Sequence, residues 1–345
     1  MAPAGKSATV YFVDVGQGAC QVIDFHDGKL VILDCGKSAT ELIMLLNQLK
    51  FQRIHAVILS HWHEDHVGGV PALLKAFGKK IDIFYLTQDR PANQIQLNRV
   101  YKQICEEQRD HRYAIERLEF STVDHGQIHG AAAREEGPIL SVLFPNFSES
   151  LTAQSQSDAN QGSGILLLQF GTHRILFPGD AGTAAFTALS ERLNWSVKKC
   201  DILASPHHAG KLSQSNSIID GYASNFQWLY QEIVQPTYLV VSAGTGNTHG
   251  HPIPAHLREA VRVGAVVVCT QMTSHCHSDV QSFRPQLPTY KQLPAECSRK
   301  GSSGVGCGGT VKATMRKSGV MILRLKTHQR QVEQLKSKQT PQCRL

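Results

Sequence analysis

The stretch Ser60-His61-Trp62-His63-Glu64-Asp65-His66-Val67-Gly68-Gly69 decides the fold, and it reads His-x-His-x-Asp-His. An apolar, β-rich run over 54–59 comes before it, and a helical pattern of apolar residues that begins at Val70 follows it. The sequence therefore predicts four metal-competent side chains on one turn between a strand and a helix. Imidazoles suit zinc, iron or manganese, and the carboxylate can offer an oxygen to a second ion.

The order of these side chains predicts two neighbouring metal sites. His61 and His63 alternate along the chain, so they can bind one ion together, while Asp65 and His66 can serve a second ion. The simpler alternative is a polar surface turn that happens to be rich in histidine. We favour the metal sites because four ligand-type side chains fall within the six residues 61–66.

Composition limits the class of protein. The chain has 345 residues, a formal net charge of +7, 17 histidines and nine cysteines. No stretch approaches 18 uninterrupted apolar residues and the first seven residues lack an apolar core, which predicts no membrane insertion and a cytoplasmic location. The odd number of cysteines argues against a disulfide framework. The mild basic excess is compatible with a polyanionic partner without requiring one.

The order of the predicted elements indicates a layered α/β fold. Three short strands are expected over 8–14, 19–25 and 30–34, and a hairpin over 164–177. We expect an exposed loop over 148–163 and a helix over 254–262. Each half of the chain thus has strand hairpins followed by strand–helix units, with polar ligand-type residues at the ends of strands. This arrangement predicts two β-sheets packed face to face with helices outside, an αββα sandwich.

The metal turn resembles the signature of the metallo-β-lactamase fold hydrolases. Further segments resemble the ComEC-type hydrolase domain of DNA uptake, here as a standalone soluble member. They occur in that group's order within residues 8–270 and are Val13-Asp14-Val15-Gly16-Gln17-Gly18, Leu33-Asp34-Cys35-Gly36, Phe177-Pro178-Gly179-Asp180, Ser205-Pro206-His207-His208-Ala209 and Gly246-Asn247-Thr248-His249-Gly250-His251-Pro252. The resemblance implies a hydrolase domain, which we expect over 1–270. The residues after it predict a small Cys-containing β-hairpin appendage over 271–327 packed on that domain and a basic flexible tail over 328–345.

The same resemblance implies the complete ligand set. Asp180 would bridge the two ions, and one of His207 and His208 would complete the second site. Alternate residues at a strand end face opposite ways, so only one of this pair is expected to coordinate. Many members of the fold supply a third histidine to the first ion, but the comparable segment 160–163 has none. His125 and His129 are alternatives for that position, although a loop histidine is more often simply solvated.

Two divalent ions, Zn²⁺ or Mn²⁺, would generate a hydroxide that attacks an ester bond. Asp65 would orient it, and His251 or the non-coordinating member of the His207/His208 pair, for which we take His208, would protonate the leaving group. For His251, a loop-stabilising hydrogen bond is an equal alternative. Candidate substrate contacts are Lys211, Ser213, Asn160, Ser163 and Thr248.

The C-terminal cysteines offer a second candidate site. A structural zinc ion could hold the appendage together, although the spacing does not repeat a CxxC pair and incidental buried thiols are the alternative. The candidate ligands are Cys269, Cys276, His277, Cys297 and Cys307.

The leading hypothesis is a dinuclear-metal phosphodiesterase or nuclease that acts on DNA or on a nucleotide-type phosphodiester. Contacts to nucleic acid would then be made to its backbone. Two alternatives stay open: hydrolysis of a thioester, lactone or β-lactam on the same fold, and an inactive metal-binding regulatory module. A standalone member of a usually membrane-linked subgroup also suggests a partner protein encoded nearby. The oligomeric state stays open.

Overall fold

The computed structural model describes most of the chain. It covers residues 6–88, 95–120, 127–130, 136–156, 159–193, 199–213, 217–276 and 304–323, and the short pieces 280, 325, 328–329, 332–333, 341 and 343. The strands of these residues are β1 (Ser7–Phe12), β2 (Gln21–Asp24), β3 (Lys29–Leu33), β4 (Arg53–Leu59), β5 (Ile81–Leu86), β6 (Ala114–Arg117), β7 (Gln127–Gly130), β8 (Ile139–Phe144), β9 (Ile165–Phe170), β10 (His173–Phe177), β11 (Lys199–Ala204), β12 (Gln235–Val241), β13 (Val266–Cys269), β14 (Val311–Arg316) and β15 (Gly319–Leu323).

The strands form two sheets. The first has the order β15-β14-β1-β2-β3-β4-β5-β6, and the second has the order β13-β12-β11-β10-β9-β8-β7. In the first sheet β3, β4, β5 and β6 run parallel, and in the second β10, β11, β12 and β13 do so. The carboxyl ends of parallel strands meet at one edge of a sheet. The loops that follow these strands are therefore brought together.

Helices cover the outer faces of both sheets. Outside the first sheet, Leu42, Leu73 and Ile104 pack on outward-facing strand residues, and outside the second sheet Phe186 and Leu257 do the same. The helices are α1 (Thr40–Leu46), α2 (Glu64–Val67), α3 (Val70–Phe77), α4 (Ile95–His111), α5 (Phe147–Gln156), α6 (Thr183–Leu193), α7 (Asn225–Trp228), continued by a π-helical turn over Leu229–Ile233, and α8 (Pro254–Arg262).

A third apolar layer lies between the sheets. Val10 and Ile58 of the first sheet share this layer with Leu168, Ile175 and Val240 of the second. Each is at most 2% exposed, because strands that are covered on both faces bury successive side chains in two different cores. The expected αββα sandwich is confirmed. Within the described residues, no helix is long and apolar enough to cross a membrane.

One expectation about local structure is wrong. The segment 148–163, expected as an exposed loop, contains most of α5 and a 3₁₀ turn over Ala159–Gly162. The Asn146 side chain accepts a hydrogen bond from the Glu149 backbone N–H at 2.9 Å, and the Glu149 side chain accepts one from the Asn146 N–H at 2.7 Å. This reciprocal cap satisfies free donors at the start of α5, so the polar composition did not prevent a helix.

The C-terminal hairpin is part of the first sheet. β14 pairs antiparallel with β1 from Ser7 opposite Arg316 to Phe12 opposite Val311, and β15 extends the sheet by one more strand. Ala313 and Met315 are completely buried in the layer between the sheets. The hairpin expected as an appendage thus contributes directly to the core, and the proposed division of the chain near residue 270 stays a prediction.

Candidate metal centre

The metal turn follows β4 and leads into α2. His61 lies two residues after the end of β4 at Leu59, and His63 is extended (φ −114°, ψ 150°) before α2 begins. His66 lies on α2 and, like His61, is completely buried. The ring centroid of His61 lies 4.6 Å from that of His63 and 4.1 Å from that of His66. The strand-to-helix turn therefore directs three imidazoles into one small region.

Two groups of side chains have the spacing of metal ligands. His61, His63 and Asp180 form the first group, and Asp65, His66 and His208 form the second. Within each group, one potential ligand atom per residue lies within 4.8 Å of the others. Six of the seven residues expected to bind metal thus fall into two adjacent groups of three. The first and second groups keep these names below.

Asp180 connects the two groups. It lies in the loop after β10 and is 3% exposed. Its Oδ2 atom is 3.6 Å from Nε2 of His61 in the first group. Its Oδ1 atom is 3.2 Å from Nε2 of His66 and 3.6 Å from Nε2 of His208 in the second group. Each carboxylate oxygen therefore faces a different group, as expected of a bridging ligand.

His208 completes the second group. Its Nε2 atom is 3.3 Å from Asp65 Oδ2, while its Nδ1 atom is 3.0 Å from the carbonyl oxygen of Ser242. The Nδ1–H donates to that carbonyl, so the lone pair on Nε2 faces the site. Of the two adjacent histidines, His208 is therefore the one whose spacing places it in the second group with Asp65 and His66.

His207 also faces the site, contrary to the expectation from strand alternation. His207, His208 and Ala209 all have left-handed backbone conformations, with φ of 49°, 52° and 58°. They lie in a short 3₁₀ turn over Pro206–Ala209 beyond the end of β11, where the alternation of an extended strand no longer applies. Nε2 of His207 is 3.7 Å from Asp180 Oδ2. The expectation that the two rings point apart is therefore wrong.

Asp34 and Ser60 support the second group from behind. Asp34 Oδ2 accepts hydrogen bonds from Nδ1 of His66 at 2.8 Å and from the Ser60 hydroxyl at 2.7 Å, and Asp34 Oδ1 accepts one from the Ser60 backbone N–H at 2.8 Å. Asp34 itself has φ of +56°, an uncommon conformation for a residue other than glycine. Sequence reasoning gave it no role, although it stands at the end of a predicted strand in one of the recognised segments.

The electrostatics of the site suit divalent cations. Burial lowers the pKa of His61 well below its usual value, so this ring is neutral and its nitrogen is available. Burial opposes ionisation of Asp180, but His66, His208 and His61 outweigh it and hold the pKa of Asp180 well below its usual range. Burial likewise opposes charge on His66, but Asp180 and Asp34 raise its pKa. Ionised carboxylates beside imidazoles are the donor set that zinc and manganese prefer.

Two buried atoms test the fit of this site to metal ions. Nε2 of His61 is buried without a hydrogen-bond partner among the described residues, and the other buried atom, Oδ1 of Asp180, faces Nε2 of His66 at 3.2 Å and Nε2 of His208 at 3.6 Å. A buried polar atom without a partner is costly, and such atoms in native structures mark a role outside the protein's own hydrogen bonds. Both atoms lie within the two groups, so the residues fit a pair of ions. Metal identity stays a prediction.

The position of His251 favours its structural alternative. Its Nδ1 atom is 3.0 Å from the carbonyl oxygen of His207, and its own carbonyl oxygen accepts a hydrogen bond from Asn247 at 2.9 Å. Burial, together with His207 and His208, lowers the pKa of His251 to about 4. At neutral pH the ring is therefore uncharged and its N–H braces the loop that carries His207. A role as proton donor stays a prediction.

The expected substrate contacts occupy different environments. Lys211 and Thr248 are exposed and Ser213 is half-buried, all on loops beside the centre. Asn160 is 8% exposed, and Ser163 is completely buried. The Ser163 hydroxyl accepts a hydrogen bond from the Asp180 backbone N–H at 2.9 Å. Ser163 therefore supports the bridging carboxylate instead of facing solvent, and the substrate roles of the exposed residues stay predictions.

His129 does not reach the centre. Its Nε2 atom is 2.9 Å from Oδ2 of Asp27, and its ring packs on Phe25 and His55. The alternative that it replaces the missing histidine of the first ion is therefore wrong. His125 lies outside the described residues.

The C-terminal thiols are partly brought together. Cys269, Cys276 and Cys307 are all buried. Burial raises the pKa of Cys269 well above its usual value, and neighbouring Cys276, Cys307 and Cys343 raise it further. Cys343 was not among the expected ligands, and 35 residues lie between it and Cys307 in the sequence. No cysteine belongs to either group of ligand-spaced residues in the described ranges. His277 and Cys297 lie outside those ranges, so the structural zinc ion stays a prediction.

Comparisons with known proteins agree with this architecture. Residues 13–116, which include the metal turn, match the model of the metallo-beta-lactamase superfamily. A ribonuclease Z of Metallosphaera sedula is 31% identical over 75 residues, which are 20% of this chain and 25% of that protein. The uncharacterized protein YcaI of Escherichia coli is 26% identical over 216 residues, 61% of this chain and 23% of that protein.

The solved structure of the metallo-beta-lactamase fold protein YhfI from Bacillus subtilis covers 75% of this chain and 95% of its own, with 15% identity and a TM-score of 0.44. The alignments span a quarter or less of the length of the curated relatives named above. The two sheets, the outer helices and the family match define this chain as a protein with the metallo-β-lactamase fold that carries two adjacent candidate metal sites.

Proposed function

We propose that this protein is a metal-dependent hydrolase that cleaves phosphodiester bonds in DNA or in nucleotide-type substrates. The observation that carries the proposal is the bridging position of Asp180, whose two carboxylate oxygens face the two ligand groups separately. Two divalent ions, Zn²⁺ or Mn²⁺, held in these groups would activate water and stabilise the charge of an in-line displacement. The name of the ribonuclease Z relatives, which identifies them as nucleases, supports a phosphodiester over an acyl substrate.

The chain's own residues prepare this centre by fixing ligand orientation and charge. Asp34 holds Nδ1 of His66, and the carbonyl of Ser242 holds Nδ1 of His208, so both rings present Nε2 to the centre. Hydrogen bonds of this kind fix the tautomer and orientation of a ligand histidine. The ionised carboxylates of Asp65 and Asp180 add negative charge that favours cations. Little rearrangement is then needed when the ions bind.

The loops around the centre support a ComEC-type subgroup. Gly18 lies against the metal turn, because a Cβ atom placed on it would be 2.4 Å from the carbonyl oxygen of Asp65. Gln17 approaches Gly244, with its Oε1 atom 3.4 Å from the Gly244 backbone N–H. The segment 13–18, which resembles this subgroup, therefore lies between the metal turn and the loop that contains Gly244. Backbone N–H groups of such glycine-containing loops can bind phosphate oxygens.

A hydrolysis panel tests this function. The purified protein, loaded with Zn²⁺ or Mn²⁺, would be assayed on bis(p-nitrophenyl) phosphate, single-stranded DNA, duplex DNA, RNA and cyclic dinucleotides. A thioester, a lactone and a β-lactam would be assayed in parallel. We expect metal-dependent cleavage of phosphodiesters that is lost in Asp180→Asn. Protein that carries two ions and hydrolyses only the acyl substrates would reject the phosphodiester proposal, and inert protein would favour a regulatory module.

A further inference from the structure

The two ligand groups are unequal in the number of side chains that they offer. The second group has Asp65, His66 and His208, and it shares Asp180, so four residues can contribute. Among the described residues, the first group has three: His61, His63 and Asp180. Protein sites for zinc commonly use three or four side chains. A further ligand for the first group would make the two sites equivalent.

His207 is placed to supply this further ligand to the first group. Its Nε2 atom is 3.7 Å from Asp180 Oδ2, which is the oxygen that faces His61 in the first group. Its Nδ1 atom is 2.7 Å from the carbonyl oxygen of Lys211. The Nδ1–H therefore donates to this carbonyl and leaves the Nε2 lone pair directed toward Asp180.

The adjacent His208 has the same arrangement on the other side of Asp180. Its Nδ1 atom is held by the carbonyl oxygen of Ser242, and its Nε2 atom is 3.6 Å from Asp180 Oδ1. Two consecutive histidines are thus each held by a backbone carbonyl, and each directs Nε2 to a different oxygen of one carboxylate. This relationship distinguishes His207 from an incidental histidine near the site.

The backbone holds His207 in a costly conformation. Three successive residues other than glycine, His207 to Ala209, have φ between 49° and 58°. Residues other than glycine are strained in this region, and such residues cluster where they serve a function. The His207 N–H donates to the Gly179 carbonyl at 3.0 Å, and the His207 carbonyl oxygen accepts from His251 at 3.0 Å. These two contacts hold the conformation that turns both rings toward Asp180.

We propose that His207 is a ligand of the first ion, so that the adjacent histidines His207 and His208 bind different ions. The proposal rests on the two-ion centre of the proposed function. The His207 side chain is 26% exposed and that of His208 is 4% exposed, so the His207 ring has more room to move. The competing role is protonation of the leaving group, which would leave ion binding unchanged.

Metal binding by the full chain separates these two roles. The metal-free protein would be titrated with Co²⁺, and the bound ions counted after gel filtration, with the visible absorption of Co²⁺ recorded. His207→Asn is the main variant, since asparagine tolerates the left-handed conformation. His26→Asn is its matched control, because His26 also has a positive φ (58°) but lies in the turn between β2 and β3.

We expect two Co²⁺ ions per chain in the natural sequence and in His26→Asn. In His207→Asn one ion should be lost or bound at least about 10-fold more weakly, and the absorption spectrum should change. Even residues that only orient a metal ligand typically change metal affinity by about 10–100-fold when they are substituted. His207→Gly provides a second test in which added imidazole should restore the lost ion. Circular dichroism verifies that the variants are folded.

Two ions bound by His207→Asn with unchanged affinity and spectrum would overturn the proposal, even if hydrolysis fell. Failure of imidazole to restore the ion in folded His207→Gly would also count against it. These outcomes are independent of the substrate, since the ions are counted without turnover. Inert protein with two ions would reject the proposed function and leave the assignment of His207 in place.

Discussion

Asp34 and His66 form a completely buried carboxylate–imidazole pair in which Asp34 Oδ2 is 2.8 Å from Nδ1 of His66. The remaining ring nitrogen, Nε2, faces Asp180 Oδ1 at 3.2 Å. The hydrogen bond to Asp34 keeps a proton on Nδ1, so a cation that binds to this ring would displace the proton from Nε2, where Asp180 and Asp34 raise the pKa of His66. Asp34 thus orients a candidate ligand without belonging to either ligand group.

Asp34→Asn should weaken the binding of the second ion by about 10–100-fold, since an amide fixes the tautomer of His66 less well. Metal titration followed by isothermal calorimetry measures this change. The matched control is Asp27→Asn, which alters a carboxylate–imidazole pair of 2.9 Å with His129 away from the centre. Equal ion affinities for the two variants would contradict the role of Asp34.

The metal turn could be predicted because its signal is local. His61, His63, Asp65 and His66 lie on one strand-to-helix turn, and six residues of sequence are enough to place them together. The αββα layers were predictable for a related reason. Alternating and continuous apolar runs indicate which strands are covered on both faces, and these runs are read without knowledge of distant contacts.

The direction of the His207 and His208 rings could not be predicted from sequence. It depends on left-handed backbone conformations that distant partners hold, among them the Gly179 carbonyl oxygen and the His251 ring. The supporting role of Ser163 is a similar case, because it arises from a contact with Asp180 across the second sheet's loops. Local propensity carries no signal for such contacts between segments remote in sequence.

The helix α5 was missed for a different reason. The capping pair Asn146 and Glu149 is visible in the sequence, but the expectation of a loop rested on the composition of the following residues, which are rich in serine and glutamine. Here the sequence did contain the decisive signal. A three-residue spacing between a capping side chain and a glutamate should therefore be weighed before composition.

Substitution of Asp180 should remove more bound ions than substitution of Asp65. Asp180→Asn removes charge from a carboxylate that faces both groups, so we expect neither ion to bind tightly. Asp65→Asn alters the second group alone and should leave one ion in place. Counting of bound Mn²⁺ or Zn²⁺ per chain checks the difference. Loss of the same number of ions in both variants would contradict the bridging role of Asp180.

Gly18→Ala should disturb the metal turn. The added Cβ would lie 2.4 Å from the Asp65 carbonyl oxygen, and Gly18 has φ of +136°. We expect a loss of roughly 2–4 kcal/mol in the free energy of unfolding, together with weaker binding of the second ion, because strain and a steric clash act together. Denaturant unfolding and metal titration measure the two effects.

Gly171→Ala is the matched control for this change. Gly171 also has a positive φ (58°), but a Cβ atom there meets nothing within 4 Å. It should cost only about 1–2 kcal/mol, the penalty of the left-handed conformation, and should leave ion binding unchanged. A similar effect of the two variants on ion affinity would show that Gly18 does not position Asp65.

His256 should make the fold sensitive to mild acid. It is completely buried, with Nδ1 3.0 Å from the Gly210 carbonyl oxygen and Nε2 2.8 Å from the Tyr230 hydroxyl. Burial lowers its pKa to about 4, whereas an unfolded histidine has a pKa near 6.5. Between these values the unfolded chain binds more protons, so stability falls as the pH decreases.

We expect His256 to contribute a loss of about 2 kcal/mol in the free energy of unfolding between pH 7 and pH 5, since each pH unit below 6.5 costs up to about 1.4 kcal/mol. Urea unfolding of metal-free protein at both pH values measures it, and His256→Gln should show a correspondingly smaller loss. Tyr230→Phe keeps the titratable ring and should retain the dependence at lower overall stability. An equal loss in the natural sequence and in His256→Gln would contradict this role, because the other titrating groups are common to both proteins.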